Sequence, residues 1–486
     1  MLSLIHRPFE ALSGSIGASP DELKLIFSFL LSYPLAGLLK RVPDAKPACK
    51  NIFIIGHVRR QIVRSPSTVD ITGAQMVMVM KLSAFCWNVA DGQLSDELLS
   101  EFQRDRAIRE LPGFLDYAGY ILFFPSLFAG PAFDYAEYRR WLDTTMFEVS
   151  SDVDPSKKPL LRKRRKIPRS ATPAMFKAIA GLLWLALFVI LSAKYGHEQL
   201  LQESYVQYAL WRRVWIMYIV NLVARLKYYG VWTLTEGSCI LAGLGYNGVD
   251  PITGKVLWNR LQNVDPWAVE TAQNPRGYMA GWNMNTNSWL RNYVYLRVTP
   301  RGKKPGFRAS LTTFGTSAFW HGFYPGYYFT FILASLVQTA AKNLRRLVRP
   351  FFLDSVTGKP SPSKKYYDMA SLIVTQLTFS FATTPFLVLT FSDAVRAWSR
   401  VDFYGAVWTI ACLVFFASPG KSTLKAELEK RQGRVSARLV RSTSTDSLTG
   451  NQPILGISKD LGRDVTEAME ELRAAEVETR QKKKSS

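Results

Sequence analysis

One histidine, His321, lies inside the apolar stretch SAFWHGFYPGYYFTF, and no residue from Ala309 through Ala341 carries a formal charge. The unperturbed pKa of imidazole, about 6.5, lets a histidine exchange a proton near neutral pH. An ionisable group in hydrocarbon is costly, and such groups usually face a cavity that serves a function. The stretch therefore makes His321 a candidate general base. The alternative is a neutral core imidazole that is bonded to a backbone carbonyl.

Three residues that break or bend helices follow His321 within five positions, namely Gly322, Pro325 and Gly326. As one helix, the uncharged run would be about 50 Å long at ~1.5 Å per residue. That length exceeds the ~30 Å of hydrocarbon in a bilayer. Basic loops flank the run on both sides. We therefore predict a re-entrant or strongly bent path that keeps both loops cytosolic and places His321 near the bend, lining a chamber.

A second candidate segment, GWNMNTNSWLRNYVYLRV, covers residues 281–298. Asparagine is a poor helix former, and three asparagines within five residues are unusual for plain packing. Helical spacing would divide the segment into a mainly aromatic face and a face of asparagines followed by aliphatic residues. The first face holds Trp282, Thr286, Trp289 and Tyr293, and the second holds Asn283, Asn287, Leu290 and Val294. The alternative is an amphipathic interfacial helix, because tryptophan and tyrosine prefer the headgroup region.

Both segments lie in a chain of alternating apolar and basic stretches, with a mean hydropathy of +0.00 and 13% aromatic residues. A helix needs ~20 mostly apolar residues to cross a bilayer. Nearly uncharged runs recur at Leu23–Leu39, Gln75–Ala90, Gly113–Phe133, Phe176–Ala193, Ala309–Ala341, Met369–Ser392 and Phe403–Gly420. We predict an all-α polytopic membrane protein, a bundle of roughly eight to ten transmembrane helices with re-entrant or broken helices around a chamber.

The formal net charge of +23 comes mainly from loops between the apolar runs. The basic clusters are KKPLLRKRRKIPR (Lys157–Arg169), RGKKPGFR (Arg301–Arg308) and RRLVR (Arg345–Arg349). This distribution is typical of cytoplasmic loops under the positive-inside rule, with anionic lipid headgroups as a secondary partner. Nucleic-acid binding would instead need basic residues on a folded polar surface. We predict a membrane bilayer and no nucleic acid as partner.

Metal and nucleotide chemistry lack their usual sequence signatures. The four cysteines show no CxxC spacing, and HExxH and Walker A motifs are absent, so we predict no zinc site and no metal. The HxxxxD motif, which marks the soluble-facing type of glycerolipid acyltransferase, is absent too. The remaining histidines, His6, His57 and His197, stand near polar or charged neighbours, and we expect solvated structural roles for them.

The chain divides into a polar lead (1–22), a membrane-embedded region (23–418) and a basic tail (419–486). The tail has too little apolar surface to offset chain entropy, so we expect a cytosolic, largely disordered segment with short helices near Lys421–Gln432 and Val465–Arg480. No cleavable signal peptide is predicted before the first apolar run. The ending KKKSS resembles the dilysine signal for return to the endoplasmic reticulum, or is a chance basic ending. We predict a multi-pass protein of that membrane.

Together, WNMNTNSWL and SAFWHGFYPGYY resemble the membrane-bound O-acyltransferase family, and more closely its fungal lysophospholipid acyltransferase branch. The similarity runs from about Thr72 through Gly420 and includes DYAGYILFFPSLFAGPAFDYAEYRRW and LTEGSCILAGLGYNG. The resemblance implies a catalytic histidine at His321 and a catalytic asparagine at Asn283, with Asn285 as the alternative for the asparagine. It further implies transfer of a fatty acyl group from acyl-CoA, a co-substrate, to the free hydroxyl of a lysophospholipid, without a cofactor.

In such a reaction, His321 would act as general base, and Asn283 would stabilise the oxyanion or hold the acceptor hydroxyl. The candidate substrate-binding residues are Trp282, Asn285, Thr286, Trp289, Trp320, Tyr328, Glu236, Arg301, Lys303 and Lys304. The residues that would line an acyl tunnel, or else serve as ordinary packing, are Phe319, Trp320, Tyr327 and Tyr328. The linker cations Arg301, Lys303, Lys304 and Arg308 would meet the phosphates of coenzyme A or only set topology. For Glu236 we rank a structural role, through Arg225 or Lys227, above a catalytic one.

One departure from the family pattern lies where Ile55 joins Gly56 directly, because members usually carry a longer apolar stretch there. We therefore expect one or two N-terminal helices to be missing, which bears on whether this form is active. The alternatives to a lysophospholipid acyltransferase are a family member with another acceptor (sterol, diacylglycerol or protein), an inactive truncated paralogue and a transporter-like protein. The sequence predicts no particular oligomeric state, headgroup preference or acyl-chain preference.

Overall fold

The computed structural model describes residues 72–149, 153, 156, 167–299, 307–354 and 357–440. Predictions about the polar lead 1–22, the Ile55–Gly56 junction, the tail from residue 441 and the linker cations Arg301, Lys303 and Lys304 lie outside the described residues.

The described residues form helices joined by turns and short 3-10 segments, which confirms the all-α prediction. Strand-like pairing in these ranges is limited to the isolated bridges Val249–Val256 and Leu353–Pro360. The helices are α1 (Thr72–Asp91), α2 (Glu101–Arg106), α3 (Phe114–Ile121), α4 (Tyr135–Leu142), α5 (Ala171–Ser192), α6 (Leu210–Leu241), α7 (Pro266–Glu270), α8 (Pro275–Gly281), α9 (Met284–Leu290), α10 (Phe307–His321), α11 (Pro325–Leu347), α12 (Lys364–Val388), α13 (Phe391–Ser399), α14 (Tyr404–Ala417) and α15 (Gly420–Val440).

Membrane-crossing character is clearest in two segments of the described chain. Ala171–Leu201 and Lys364–Val388 are long and apolar enough to cross a bilayer. The pair α13 and α14 meets the same criteria only when taken together, and the two helices are bent by 82° at their junction. Such a bend fits the predicted class of broken or re-entrant helices. The number of eight to ten passes stays a prediction, because the described ranges account for two or three.

The chain divides into two compact units, which we describe separately. The first comprises the described residues within Met1–Leu191, Ala224–Asp265 and Trp282–Trp289. The second comprises those within Ser192–Val223, Pro266–Gly281 and Leu290–Ser486.

In the first unit, glycines let α5 and the second part of α6 pack backbone against backbone. A Cβ added at Gly181 would lie 2.8 Å from the amide nitrogen of Leu234 and 3.0 Å from the carbonyl oxygen of Gly230. Small residues at such crossings are typical of membrane helices, where close van der Waals contact replaces the hydrophobic effect as the attraction between helices. This crossing fixes the face of α6 that carries Glu236.

The helix α1 is anchored in the first unit by a buried lysine. Lys81 is 1% exposed, and its ammonium donates hydrogen bonds to the carbonyl oxygens of Tyr120 and Ile121 at the end of α3. The last carbonyls of a helix have no partner inside the helix, so the lysine satisfies them. The same ammonium lies 4.2 Å from the ring centroid of Phe133, a distance suited to a cation–π contact. The Lys81 ammonium therefore has carbonyl and aromatic partners inside the core.

In the second unit, the long uncharged run is broken where the sequence predicted a break. The helix α10 ends at His321 and α11 begins at Pro325. Gly322 has a φ of +130°, which few residues other than glycine adopt. Proline at the first helical position is favoured because its fixed φ suits the helix and its missing N–H would lack a helical partner. The predicted break at this point is confirmed, whereas the re-entrant or bent path and the cytosolic side of both loops stay predictions.

The start of α11 is held against the end of α12. The amide of Gly326 donates a 2.8 Å hydrogen bond to the carbonyl oxygen of Leu389. Leu389 itself has a φ of +67°, so the turn after α12 presents its carbonyl in an unusual direction. Shortly before this turn, the Asn221 carboxamide of α6 donates to the hydroxyl of Thr384 in α12 at 2.9 Å. Polar contacts of this kind connect membrane helices at about 0.6–2 kcal/mol each.

After the membrane-embedded region, α15 covers the residues near Lys421–Gln432 for which a short helix was predicted. Its Arg431 donates hydrogen bonds to the carbonyl oxygens of Phe351 at 2.8 Å and Leu353 at 3.0 Å. The start of the tail is thus tied to the loop after α11. The predicted domain boundaries stay predictions.

Replacing Gly326 with alanine tests the contact between α11 and α12. A Cβ at this position would lie 2.0 Å from the carbonyl oxygen of Pro385, so the backbone must move, at a cost of about 1–3 kcal/mol. We expect Gly326→Ala to lower the apparent Tm by several degrees when the detergent-solubilised protein is heated and analysed by size-exclusion chromatography. Gly315→Ala is the matched control, because a Cβ there meets nothing within 4 Å. Equal apparent Tm values in both variants would contradict the contact.

Candidate active site

His321 is the last residue of α10 and stands immediately before the break. The amide of Gly322 bonds to the carbonyl oxygens of Ala318 at 3.2 Å and Phe319 at 3.1 Å, which closes the final turn. Because Gly322 then turns to positive φ, the chain leaves the helix axis directly after the imidazole. The side chain is half-buried, so it borders both packed protein and accessible space.

Aromatic rings surround the imidazole. Phe331 lies nearly parallel to it, with ring centroids 5.3 Å apart and an interplanar angle of 25°. Phe386 meets it edge-on at 4.8 Å, and Trp320 and Tyr327 follow at 4.7 and 5.5 Å. Offset-stacked and edge-to-face arrangements at such distances are the favourable ones for aromatic pairs. The rings hold the imidazole in one orientation and displace water from its faces.

An apolar groove of about 670 Å³ lies next to this aromatic cluster, between α10, α11 and α14. Phe331 belongs both to the groove and to the set of rings around His321. The candidate Tyr328 also contributes to the lining, whereas Trp320 is 5% exposed and packs against the imidazole. Apolar clefts of ~300–1,000 Å³ are typical ligand sites. The groove is therefore suited to an apolar chain.

In the first unit, Trp282 is held by three aromatic side chains of α6. Its ring centroid lies 5.6 Å from that of Tyr228, 5.9 Å from that of Tyr229 and 5.0 Å from that of Trp232, all close to edge-on. The tryptophan thus serves as an anchor for the segment that follows. Its predicted contact with substrate stays a prediction.

Asn283 lies outside the helix, which corrects one prediction. The helical spacing placed Asn283 and Asn287 on one helical face, but α9 begins at Met284 and Asn283 has a φ of +45°. Asparagine is one of the few residues that adopts this left-handed conformation at moderate cost. The carboxamide of Asn283 makes no hydrogen bond to any residue within the described ranges.

The predicted aromatic stripe is also interrupted. After Leu290 the chain winds as a π-helix over Arg291–Tyr295, so Tyr293 and Val294 do not continue the 3.6-residue period of α9. Single π-helical turns inside α-helices occur frequently at functional sites.

The other polar members of α9 hold the segment in place. The Asn285 carboxamide donates to the carbonyl oxygen of Gln262 at 3.1 Å and to Asn263 Oδ1 at 3.2 Å. Since its donor group is used within the protein, Asn285 is less suited than Asn283 to donate to a substrate. Thr286 donates to the sulfur of Met80 at 3.4 Å, and the Trp289 indole donates to Ser83 Oγ at 3.0 Å. Both contacts fix α9 against α1.

Glu236 forms a salt bridge between two helices, as expected of a structural residue, but the cation in that salt bridge is not one of the predicted ones. Its side chain is 1% exposed, and the Lys177 ammonium of α5 lies 2.9 Å from Oε1. The predicted partners Arg225 and Lys227 were wrong, because they precede Glu236 by eleven and nine residues on α6. At ~1.5 Å per residue they lie about 16 and 13 Å away along the helix axis, beyond side-chain reach. The salt bridge joins the two helices that cross at Gly181.

Several residues of this region had no signal in the sequence. Phe386 follows a proline in α12, and Asn263 lies in the loop after α6, far along the chain from the residues they contact. Only Phe331, inside the stretch around His321, could have been considered a candidate from the sequence.

Comparison with known proteins gives a consistent result. The model of the membrane-bound O-acyltransferase family matches residues 65–384. A lysophospholipid acyltransferase of Schizosaccharomyces pombe is 39% identical, with 89% of this chain and 93% of the relative covered. A lysophospholipid acyltransferase of Saccharomyces cerevisiae is 42% identical, with 75% of this chain and 60% of the relative covered. Membrane-bound glycerophospholipid O-acyltransferase 1 of Mus musculus is 30% identical over 76% of this chain and 71% of the relative.

The Lys177–Glu236 contact can be tested by removing the cation alone and then both charges. Lys177→Met leaves a buried carboxylate without its partner, which we expect to cost about 3 kcal/mol, the lower end of the range because Lys177 is partly exposed. The double variant Lys177→Met/Glu236→Leu removes both charges and should recover most of the apparent Tm in detergent. A Lys177→Met protein as stable as the parent would contradict the salt bridge. A stable but inactive double variant would assign Glu236 to substrate binding instead.

Proposed function

The chain belongs to the membrane-bound O-acyltransferase family, and we propose that it transfers a fatty acyl group from acyl-CoA to the free hydroxyl of a lysophospholipid. The names of its two fungal relatives support the lysophospholipid as acceptor. The observation that carries the proposal is the placement of His321, which ends a broken helix among aromatic rings and beside an apolar groove. A base in such a site would meet the reacting end of an amphiphile.

His321 is the proposed general base. An alcohol is a weak nucleophile at neutral pH, so its attack is helped when a positioned group takes the proton as the new bond forms. Neutral imidazole is suited to this step because its unperturbed pKa of about 6.5 lies near the working pH. The aromatic neighbours support this role by keeping the ring in one orientation.

Asn283 is the proposed partner in the same reaction. When the hydroxyl oxygen attacks the thioester carbonyl, negative charge collects on the carbonyl oxygen, and one pre-oriented donor there can contribute about 3 kcal/mol. The Asn283 carboxamide is a suitable donor, or it holds the acceptor hydroxyl. Collapse of the tetrahedral intermediate forms the ester, breaks the carbon–sulfur bond, and releases the coenzyme A thiolate, which takes the proton from the imidazolium of His321. The histidine thus returns to its neutral form.

The groove beside His321 is the proposed site of the transferred acyl chain. In the donor, the acyl chain is attached directly to the reacting carbonyl carbon. The site that holds the chain must therefore begin next to the reacting atoms. The groove lining is almost entirely apolar, and each buried methylene contributes ~0.8 kcal/mol to binding.

The phosphates of coenzyme A would be met by cations. Arg301, Lys303 and Lys304 are the proposed partners by their position in the sequence between the two motifs. The dilysine-like ending supports a proposed location in the endoplasmic reticulum membrane with a cytosolic tail.

The proposed base is tested by two substitutions. His321→Ala and His321→Gln should each reduce acyl transfer from oleoyl-CoA to lysophosphatidylcholine at least about a hundredfold, in the range of general-base contributions. The glutamine variant keeps the side-chain bulk in case alanine disturbs the aromatic packing. His197→Ala is the control, since His197 begins a short 3-10 helix and 47% of its side chain is accessible. Activity of the His321 variants near that of the control, at equal protein levels in microsomes, would remove the base from the proposal.

The proposed acyl groove is tested at Gly315. A side chain added there meets nothing within 4 Å, so Gly315→Leu should fill the groove without disturbing the backbone. We expect the ratio of kcat/KM for oleoyl-CoA over decanoyl-CoA to fall about tenfold, because excluding two methylenes already costs ~1.6 kcal/mol at ~0.8 kcal/mol each. Gly113→Leu, where an added Cβ also meets nothing within 4 Å, is the control. An unchanged ratio, or a shift in preference for the chain of the lysophospholipid instead, would contradict the assignment.

A further inference from the structure

We propose that Asn263 is a positioning residue that holds Asn283 in the left-handed backbone conformation from which its carboxamide acts. This inference rests on the proposed function of Asn283. It concerns a residue in the loop after α6 that neither the motif nor its spacing points to.

The conformation of Asn283 needs support from its surroundings. Its φ of +45° lies in the left-handed region, where a residue with a side chain pays roughly 1–2 kcal/mol relative to the right-handed conformation. Backbone of this kind persists when surrounding contacts over-determine it, and it is concentrated at functional sites. The contacts on both sides of Asn283 therefore indicate what maintains it.

On the C-terminal side of Asn283, Asn263 accepts hydrogen bonds from the first two backbone amides of α9. The Met284 amide donates to the Asn263 carbonyl oxygen at 2.8 Å, and the Asn285 amide donates to Asn263 Oδ1 at 3.0 Å. The first amides of a helix have no partner inside the helix. A single residue, through its backbone and its side chain together, thus sets the direction in which α9 leaves Asn283.

On the N-terminal side of Asn283, the contacts come from within the same segment. The Asn287 carboxamide donates to the Trp282 carbonyl oxygen at 2.7 Å, and the Asn287 amide donates to the Asn283 carbonyl oxygen at 3.0 Å. The ring of Trp282 is packed among three aromatic side chains of α6. The peptide groups on both sides of Asn283 are therefore fixed.

Asn263 is buried, so its own position is fixed by the surrounding protein. It is 3% exposed, and its neighbours Leu261 and Val264 are 1% and 2% exposed, so the loop is embedded in the first unit. The Oδ1 atom also accepts from the Asn285 carboxamide at 3.2 Å. Loss of this acceptor would leave the Asn285 amide without its partner, so that only the Met284 amide would still tie the start of α9 to residue 263. A displacement of about 1 Å at a reacting group can reduce a rate by about a hundredfold.

The inference is tested by comparing Asn263→Ala with Asn263→Asp in the purified full-length protein. The alanine removes the Oδ1 acceptor, and the aspartate keeps an acceptor of the same shape. We expect Asn263→Ala to lower kcat for acyl transfer from oleoyl-CoA to lysophosphatidylcholine about ten- to a hundredfold. The KM of both substrates should stay within about twofold, because an interaction made only in the transition state affects kcat alone. Asn263→Asp should recover most of kcat.

Asn259→Ala is the matched control, since Asn259 lies in the same loop, is exposed and bonds to Asn247 at 3.0 Å. It should keep the parental kcat and KM. A kcat for Asn263→Ala within twofold of the parent would overturn the inference. So would a loss that Asn263→Asp does not restore, or one in which KM rises and kcat is kept, because a merely structural role predicts those results.

An Asn283→Ala arm separates this inference from the function on which it depends. If Asn283→Ala loses activity while Asn263→Ala keeps it, the positioning role fails and the proposed function stands. If Asn283→Ala is fully active, the proposed role of Asn283 fails and the inference fails with it. Wild-type protein without acyl transfer to any lysophospholipid would overturn the proposed function itself.

Discussion

The structure depends on one constraint, which is that every backbone amide and carbonyl inside a bilayer must find a partner within the protein. A helix interruption breaks the regular pairing and exposes such groups. Both proposed catalytic residues lie at interruptions, Asn283 just before α9 and His321 at the end of α10. In each place the freed groups are paired again, by Asn263 next to Asn283 and by the short turn at Gly322 after His321. The interruptions are therefore fixed conformations that present side chains.

The packing around each interruption is adapted to a medium in which apolar contact gives little net attraction between helices. Glycines at the crossing of α5 and α6, and Gly326 of α11 where it meets the end of α12, permit close backbone contact. Two buried charges of the described residues have partners inside the protein, since Glu236 lies next to Lys177 and Lys81 donates to carbonyl oxygens at the end of α3. Such contacts hold the helices of each unit in one arrangement.

Local features could be predicted from the sequence, and features set by distant residues could not. The break after His321 was predicted because Gly322 and Pro325 are themselves its cause. The helix boundary at Asn283 was predicted wrongly, since the hydrogen bonds that determine it come from Asn263, about twenty residues earlier. The partner of Glu236 was also wrong, because Lys177 comes from a different helix. Residue spacing in the sequence predicts which side chains share a face of one helix. It does not predict contacts between elements that are distant in the sequence.

We propose that His321 and Asn283 act on the same transition state, and the kinetics of the double variant test this proposal most directly. Purified wild-type protein, His321→Ala, Asn283→Ala and the combination are compared by single-turnover acyl transfer from oleoyl-CoA to a lysophospholipid. Residues that act as a unit show strongly non-additive losses. If the two residues act together, the double variant is no slower than the more severely affected single variant. Losses that multiply, or a double variant that transfers the acyl group at the wild-type rate, would contradict the proposal.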